Sequence, residues 1–317
     1  MILDKKETAE ALPWLELIEA IDNIFLQQVN SPLRHHHTLK VPGEEDATLL
    51  LMPAWIEGTF SGVKIVNVFP GNNRHGLAGL TGHYLLSSAK TGQLLLQLDG
   101  SELTSRRTAA ASALASRYLS RDDCNTMLMV GTGRMARYLI PAHLQVRPIE
   151  VVYVWGRSKE STDKLVYELR DEGVNAKACF KGDLQKIAQH VDLISCATMS
   201  TEPIIKGEWL QPGVHLDLVG SFTPKMRETD NTTMQICDLF VDTRCGALNE
   251  TGDITIPISD GAISANDIVA ELSELCSGKH KGRLQLVKPN EAITVFKSVG
   301  TSIEDLGAAI LAKKNVG

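Results

Sequence analysis

Residues 126–158, TMLMVGTGRMARYLIPAHLQVRPIEVVYVWGRS, set a glycine-rich turn between an apolar strand and a helix, then run into a second apolar strand that ends on a cation. The turn Gly131-Thr132-Gly133-Arg134-Met135-Ala136 has the G-x-G-x-x-A spacing of a dinucleotide-binding βαβ unit. Gly131 permits the tight turn, Gly133 lets a pyrophosphate approach the backbone, and Ala136 lets the helix lie close on the sheet. Thr132, Arg134 and Met135 complete a turn that opens a helix, whose first N–H groups lack partners and attract phosphate. At the end of the next run, Ile149 to Val154, an NAD enzyme normally places a carboxylate for the ribose 2′-OH. This chain has Gly156-Arg157-Ser158-Lys159 instead. A guanidinium, a hydroxyl and an ammonium suit a 2′-phosphate, so the expected cofactor is NADPH, with NADH left open. The alternative is an ordinary α/β turn carrying a solvated Arg and Lys.

Two further cations stand out by their surroundings. Lys64 interrupts the otherwise apolar strand Val63 to Val68, and Arg107 opens a helix rich in alanine. The run His35-His36-His37 predicts no metal site, because neighbours on an extended segment point to opposite faces and cannot converge as ligands do. His83, before an apolar run, is either a packed histidine or a pocket-facing proton donor. The cysteines Cys124, Cys179, Cys196, Cys237, Cys245 and Cys276 form no C-x-x-C pair and read as free thiols used in packing.

These residues need elements to position them. From roughly Asp122 to Pro289 strands alternate with helices: Thr126–Val130, Ile149–Val154, Ala176–Phe180, Asp192–Cys196, His215–Val219 and Asp238–Val241, with helices at Ser158–Glu172 and Asp183–His190. This predicts a Rossmann-type α/β domain, a doubly wound parallel sheet of about six strands, whose ligands sit at the C-terminal strand ends. The expected boundaries are 121–297. Residues 1–120 read as a separate α+β domain: a helix Ala9–Gln28, β-rich runs at Thr48–Leu51, Val63–Phe69, His83–Ser87 and Leu94–Leu98 punctuated by turn signals, and a helix Arg107–Leu119. The C-terminal segment, 298–317, holds an amphipathic helix expected to rejoin it.

A chain of 317 residues suits two domains, and 43% hydrophobic with 22% charged residues describes an ordinary soluble protein. The formal net charge of -6 argues against a nucleic-acid or anionic-membrane partner. No signal-like N-terminus and no apolar run of spanning length is found, so the expected location is cytoplasmic.

Several segments together resemble the ornithine cyclodeaminase and mu-crystallin family: SPLRHHH (31–37), LMPAW (51–55), GVKIVNVFPGN (62–72), LTSRRTAAASALA (103–115), VGTGRMA (130–136), TEPI (201–204), VGSFTPKMRE (219–228) and FKSVG (296–300). They run in the family's order along essentially the whole chain. The resemblance implies a homodimer in which the N-terminal domain forms substrate pocket and dimer contact, facing the Rossmann domain. It also implies hydride transfer between a nicotinamide and the α-carbon of an amino or imino acid. By motif position it puts Arg34, Lys64 and Arg107 around the substrate carboxylate, and Thr198, Val219, Lys225 and Ser298 at the cofactor. Such cations make chemical sense, since guanidinium groups grip a carboxylate in a fixed plane and present the carbon beside it.

Departures from the cyclodeaminase pattern separate the possible reactions. Cyclodeamination passes through several proton transfers and benefits from pocket carboxylates. Where cyclodeaminases carry an Asp and a Glu, this chain has Ser221 and Leu50, and the nearby Asp217 and Glu228 are displaced. The leading expectation is therefore NAD(P)H-dependent reduction of cyclic ketimines, Δ1-pyrroline-2-carboxylate to L-proline and Δ1-piperideine-2-carboxylate to L-pipecolate. Ornithine cyclodeamination, alanine dehydrogenation and a non-catalytic NADPH-binding role are the competing readings.

Overall fold

The computed structural model describes residues 1–180 and 182–317, which divide into two compact units, 1–108 with 301–317, and 109–300. The division falls between Thr108 and Ala109, inside the long helix Gly100–Leu119 rather than after it.

The first unit is built on an antiparallel sheet of consecutive strands, β1 (His35–Leu39), β2 (Ala47–Ile56), β3 (Phe60–Val68), β4 (Leu80–Ser88) and β5 (Leu94–Asp99). The expected opening helix is two helices, Lys5–Glu10 and Trp14–Ile24, because Pro13 has no N–H to donate and can only begin a new helix. Strand β1 was not anticipated: all of HHHTL is exposed, so no alternating pattern marks it, and only pairing with β2 makes it a strand. Leu17, Ile18, Ile21 and Ile24 form the buried stripe of Trp14–Ile24, each contributing about 1.5–3 kcal/mol by leaving water. The C-terminal helix Ser302–Val316 packs on this helix and on β2, β3 and β4. Gly307 permits the close approach, since a Cβ there would lie 2.9 Å from Ile24.

The second unit is an eight-stranded parallel sheet. Its strands are β6 (Thr126–Val130), β7 (Val151–Trp155), β8 (Ala176–Cys179), β9 (Leu193–Cys196), β10 (His215–Leu218), β11 (Asp238–Val241), β12 (Ile268–Glu271) and β13 (Thr294–Lys297). In space they run β12-β11-β13-β10-β9-β6-β7-β8, so the expected doubly wound parallel sheet is present. Six of the strands match the reading of the sequence. The two missed, β12 and β13, are four residues each and carry Glu271 or the fully buried Lys297, which obscures an apolar run. After β6 the chain winds outward through β7 and β8, then returns to place β9 on the other side of β6. That reversal opens a crevice at the C-terminal ends of β6 and β9.

Cys124, Cys179 and Cys196 are buried packing residues, whereas Cys245 is exposed, and all six cysteines are free thiols. Among the described residues no helix is long and apolar enough to cross a membrane.

Candidate active site

At the strand reversal of the second unit lies a cleft of about 510 Å³. The turn after β6 forms its floor, with Gly131, Thr132, Gly133, Arg134 and Met135 all lining it. Gly131 has φ +117°, and a Cβ there would lie 2.6 Å from the Ala197 carbonyl, so only glycine fits. Nothing lies within 4 Å of the position a Cβ would take on Gly133. That open face is where a pyrophosphate can approach the backbone, and Ala136, 1% exposed, lets the following helix Ala136–Leu144 close on the sheet.

Arg157 and Ser158 line the cleft beyond β7, and both are exposed. The Ser158 hydroxyl caps the helix Lys159–Asp171 by accepting from the Ser161 N–H, which leaves its own proton to donate. Lys159 turns elsewhere: its ammonium binds Asp163 at 2.5 Å and lies over the Phe180 ring. Thr198 and Val219 line the opposite wall, after β9 and β10. Lys225 is exposed on the loop beyond Phe222, and Ser298 is buried with its N–H on the Leu218 carbonyl; neither lines the cleft.

Glu228, which the sequence only marked as displaced from a catalytic position, organises that wall. Its Oε1 accepts from the Thr198 N–H at 2.7 Å and hydroxyl at 2.9 Å, and its Oε2 accepts from the Gly220 N–H at 2.8 Å. Burial and the neighbouring Asp253 raise its carboxyl to about 7, against the pull of Lys297. Gly220 admits this arrangement, because a side chain there would collide with the Thr198 backbone. Asp217 is likewise engaged, accepting from the Ser195 hydroxyl at 2.7 Å and lying 3.2 Å from His143. Ser221 is buried against Met226 and Thr251.

The cations of the first unit form a second cluster. Lys64 sits in the middle of β3 at 2% exposure, and its Nζ lies 2.8 and 3.0 Å from the two Asp305 carboxylate oxygens. Arg107, 4% exposed, holds Glu304 through Nη1 at 2.5 Å and Asp305 through Nε at 2.8 Å. Half-buried Arg34, just before β1, is near enough to act on Lys64 electrostatically. Burial pushes the Lys64 ammonium down to about 8; Asp305 pulls it up, while Arg107 and Arg34 push it further down. Burial would raise Asp305, yet Arg107 and Lys64 hold its carboxyl below the ordinary value.

Glu304 and Asp305, both fully buried, escaped the reading of the sequence. Two adjacent acids in the first turn of a helix look like an ordinary response to its dipole. The one available signal was a helix starting with acids that the fold had to bury.

His83 does not join the cluster. On β4 it pairs with Ile65, whereas Lys64 pairs with Tyr84, so His83 lies on the opposite face of the sheet and is exposed. The residue on the Lys64 face is Tyr84, fully buried, its phenol pushed well up by burial and by Asp305. His35, His36 and His37 lie on the exposed edge strand β1.

A doubly wound sheet with a glycine-turn cleft, joined in one chain to a sheet with buried basic residues, defines a dinucleotide-binding α/β protein. The ornithine cyclodeaminase/mu-crystallin family model matches residues 1–316, and the chain belongs to that family. A Δ1-pyrroline-2-carboxylate reductase of Colwellia psychrerythraea is 35% identical over 97% of this chain and 96% of its own. Among solved structures, the Thermococcus litoralis Δ1-pyrroline-2-carboxylate reductase in complex with NADH and L-proline is similar at 33% identity and a TM-score of 0.89, covering 99% of this chain and 97% of that one. An archaeal alanine dehydrogenase dimer with bound NAD is similar at 28% identity and a TM-score of 0.88, covering 99% and 95%.

Proposed function

We propose that this protein is an NAD(P)H-dependent imine reductase acting on cyclic ketimines, converting Δ1-pyrroline-2-carboxylate to L-proline and its six-membered homologue Δ1-piperideine-2-carboxylate to L-pipecolate. The observation that carries the reading is the buried basic cluster of Lys64 and Arg107 beside Arg34 in a chain that also holds a dinucleotide cleft. Similarity to reductases of that name over nearly the full length supports it.

The nucleotide supplies a hydride when bound. The chain's own residues supply the rest. Arg34, Lys64 and Arg107 hold the substrate carboxylate, which fixes the ring and presents C2. Hydride adds at C2 of the protonated C=N bond, so the electron pair of that bond ends on the ring nitrogen and the product is the cyclic amino acid. The cleft residues Gly131, Thr132, Gly133, Arg134 and Met135 bind the pyrophosphate region, while Thr198 and Val219 border the remainder. Arg157 and Ser158, with Lys159 beside them, favour NADPH over NADH by pairing with a 2′-phosphate.

Ornithine cyclodeamination is less well supported, because Ser221 is tied to backbone and Thr251, while Asp217 and Glu228 are engaged in structural hydrogen bonds. Consumption of NADPH by the pure protein with Δ1-pyrroline-2-carboxylate, read from nicotinamide absorbance, tests the proposal. No turnover, with ammonia released from ornithine or with pyruvate aminated instead, overturns it. We further propose a cytoplasmic homodimer, the similar archaeal alanine dehydrogenase being a dimer; sedimentation at the mass of one chain would refute the dimer.

A further inference from the structure

Two fully buried acids, Glu304 and Asp305, meet the basic cluster from the first turn of the C-terminal helix. Asp305 contacts both Lys64 and Arg107, and Glu304 contacts Arg107. These contacts join residues far apart in sequence: β3, the helix Gly100–Leu119 and the C-terminal helix. We propose that Asp305, assisted by Glu304, is the positioning residue of the carboxylate site: it sets the spacing of Lys64 and Arg107.

The geometry of the contacts carries the proposal. A lysine on a flexible four-carbon stem has no fixed direction by itself, and both Asp305 oxygens lie within 3.0 Å of its Nζ. The β3 neighbours add to this constraint: Tyr84 covers Gly62 so closely that no Cβ fits there, walling one side of the strand two residues from Lys64.

The groups acting on Lys64 are Asp305 from the C-terminal helix, Arg107 from its helix and Arg34 before β1, and Tyr84 is its partner on β4. Of these, Asp305 is the one that raises the Lys64 ammonium, which otherwise falls by burial, Arg107 and Arg34. Its removal therefore moves the alkaline limb of activity to lower pH.

The inference rests on the ketimine-reductase reading, and its test separates the two. Asp305→Asn and Glu304→Gln are compared with the unchanged protein for folding by circular dichroism, for NADPH affinity by fluorescence, for kinetics with Δ1-pyrroline-2-carboxylate from pH 6 to 10, and for L-proline binding by calorimetry. The expected result for Asp305→Asn is a KM raised about tenfold or more and an alkaline limb displaced to lower pH, with NADPH affinity within about twofold. Asp305→Glu restores part of the loss. The imine of the substrate titrates identically in every variant, so only the displacement counts. If Asp305→Asn does not fold, Glu304→Gln is decisive through Arg107 alone, with a smaller rise in KM. If the unchanged protein fails to reduce the imine, the functional reading has failed, and weakened L-proline binding in the variants still upholds the positioning role. A folded Asp305→Asn that keeps wild-type KM, alkaline limb and L-proline affinity overturns it.

Discussion

On the proposed pairing of Arg157 with a 2′-phosphate, replacing Arg157 by alanine is expected to leave the protein nearly indifferent to that phosphate. The guanidinium is exposed at the lip of the cleft, two residues past β7, and Ser158 beside it retains a hydroxyl proton to donate. A hydrogen bond to a charged group contributes about 1.5–3 kcal/mol. Exposure at the lip puts Arg157 at the lower end, so the expected loss is ~1.5 kcal/mol, or about tenfold in kcat/KM for NADPH. NADH, which lacks the phosphate, should change by less than about twofold. Lys159→Ala should have a smaller effect than Arg157→Ala, because its ammonium is already held by Asp163. The assay is the ratio of kcat/KM for the two nucleotides at saturating imino acid, repeated at low and high salt, since screening should narrow the wild-type preference. Equal losses with NADPH and NADH in Arg157→Ala would refute the 2′-phosphate assignment.

Gly131→Ala should abolish binding of both nucleotides in a fluorescence titration, because φ of +117° and the Ala197 carbonyl at 2.6 Å leave no room for a methyl group; unchanged affinity would contradict the turn geometry. Lys64→Ala should lower kcat/KM for the imino acid by roughly 10- to 100-fold, the worth of one charge-assisted hydrogen bond, with NADPH affinity retained. Glu228 gives a pH signature in stability. Its carboxyl is raised to about 7 in the folded state from an ordinary value of 4.5, so the folded state binds the extra proton and stability falls as pH rises through that window. Urea titrations from pH 4 to 8 should show that slope, and Glu228→Gln should reduce it; an equal slope in both proteins would assign it to other groups. Glu228→Gln should also weaken nucleotide binding, since the amide turns a donor toward the Thr198 or Gly220 N–H.

What the sequence alone determined is what depends on local spacing. G-x-G-x-x-A between a strand and a helix, with a cation after the next strand, sufficed for the cleft, because turn, helix start and strand end are all within 33 residues. Period and punctuation located most of the parallel strands and β2 to β5. The contents of the carboxylate cluster were only partly legible. Lys64 and Arg107 stood out as charges in apolar or alanine-rich runs, but their partners Glu304 and Asp305 look like ordinary first-turn acids until the C-terminal helix folds over the sheet. Strand parity decided His83 against Tyr84, since one residue of register sends a side chain to the other face. β12 and β13 were invisible for a similar reason: four-residue strands that carry a charge, half-buried Glu271 or buried Lys297, acquire their apolar surroundings from neighbours that the chain supplies elsewhere. Only the tertiary structure could pair those charges, because ion pairs between β3 and the last helix have no signature in local sequence.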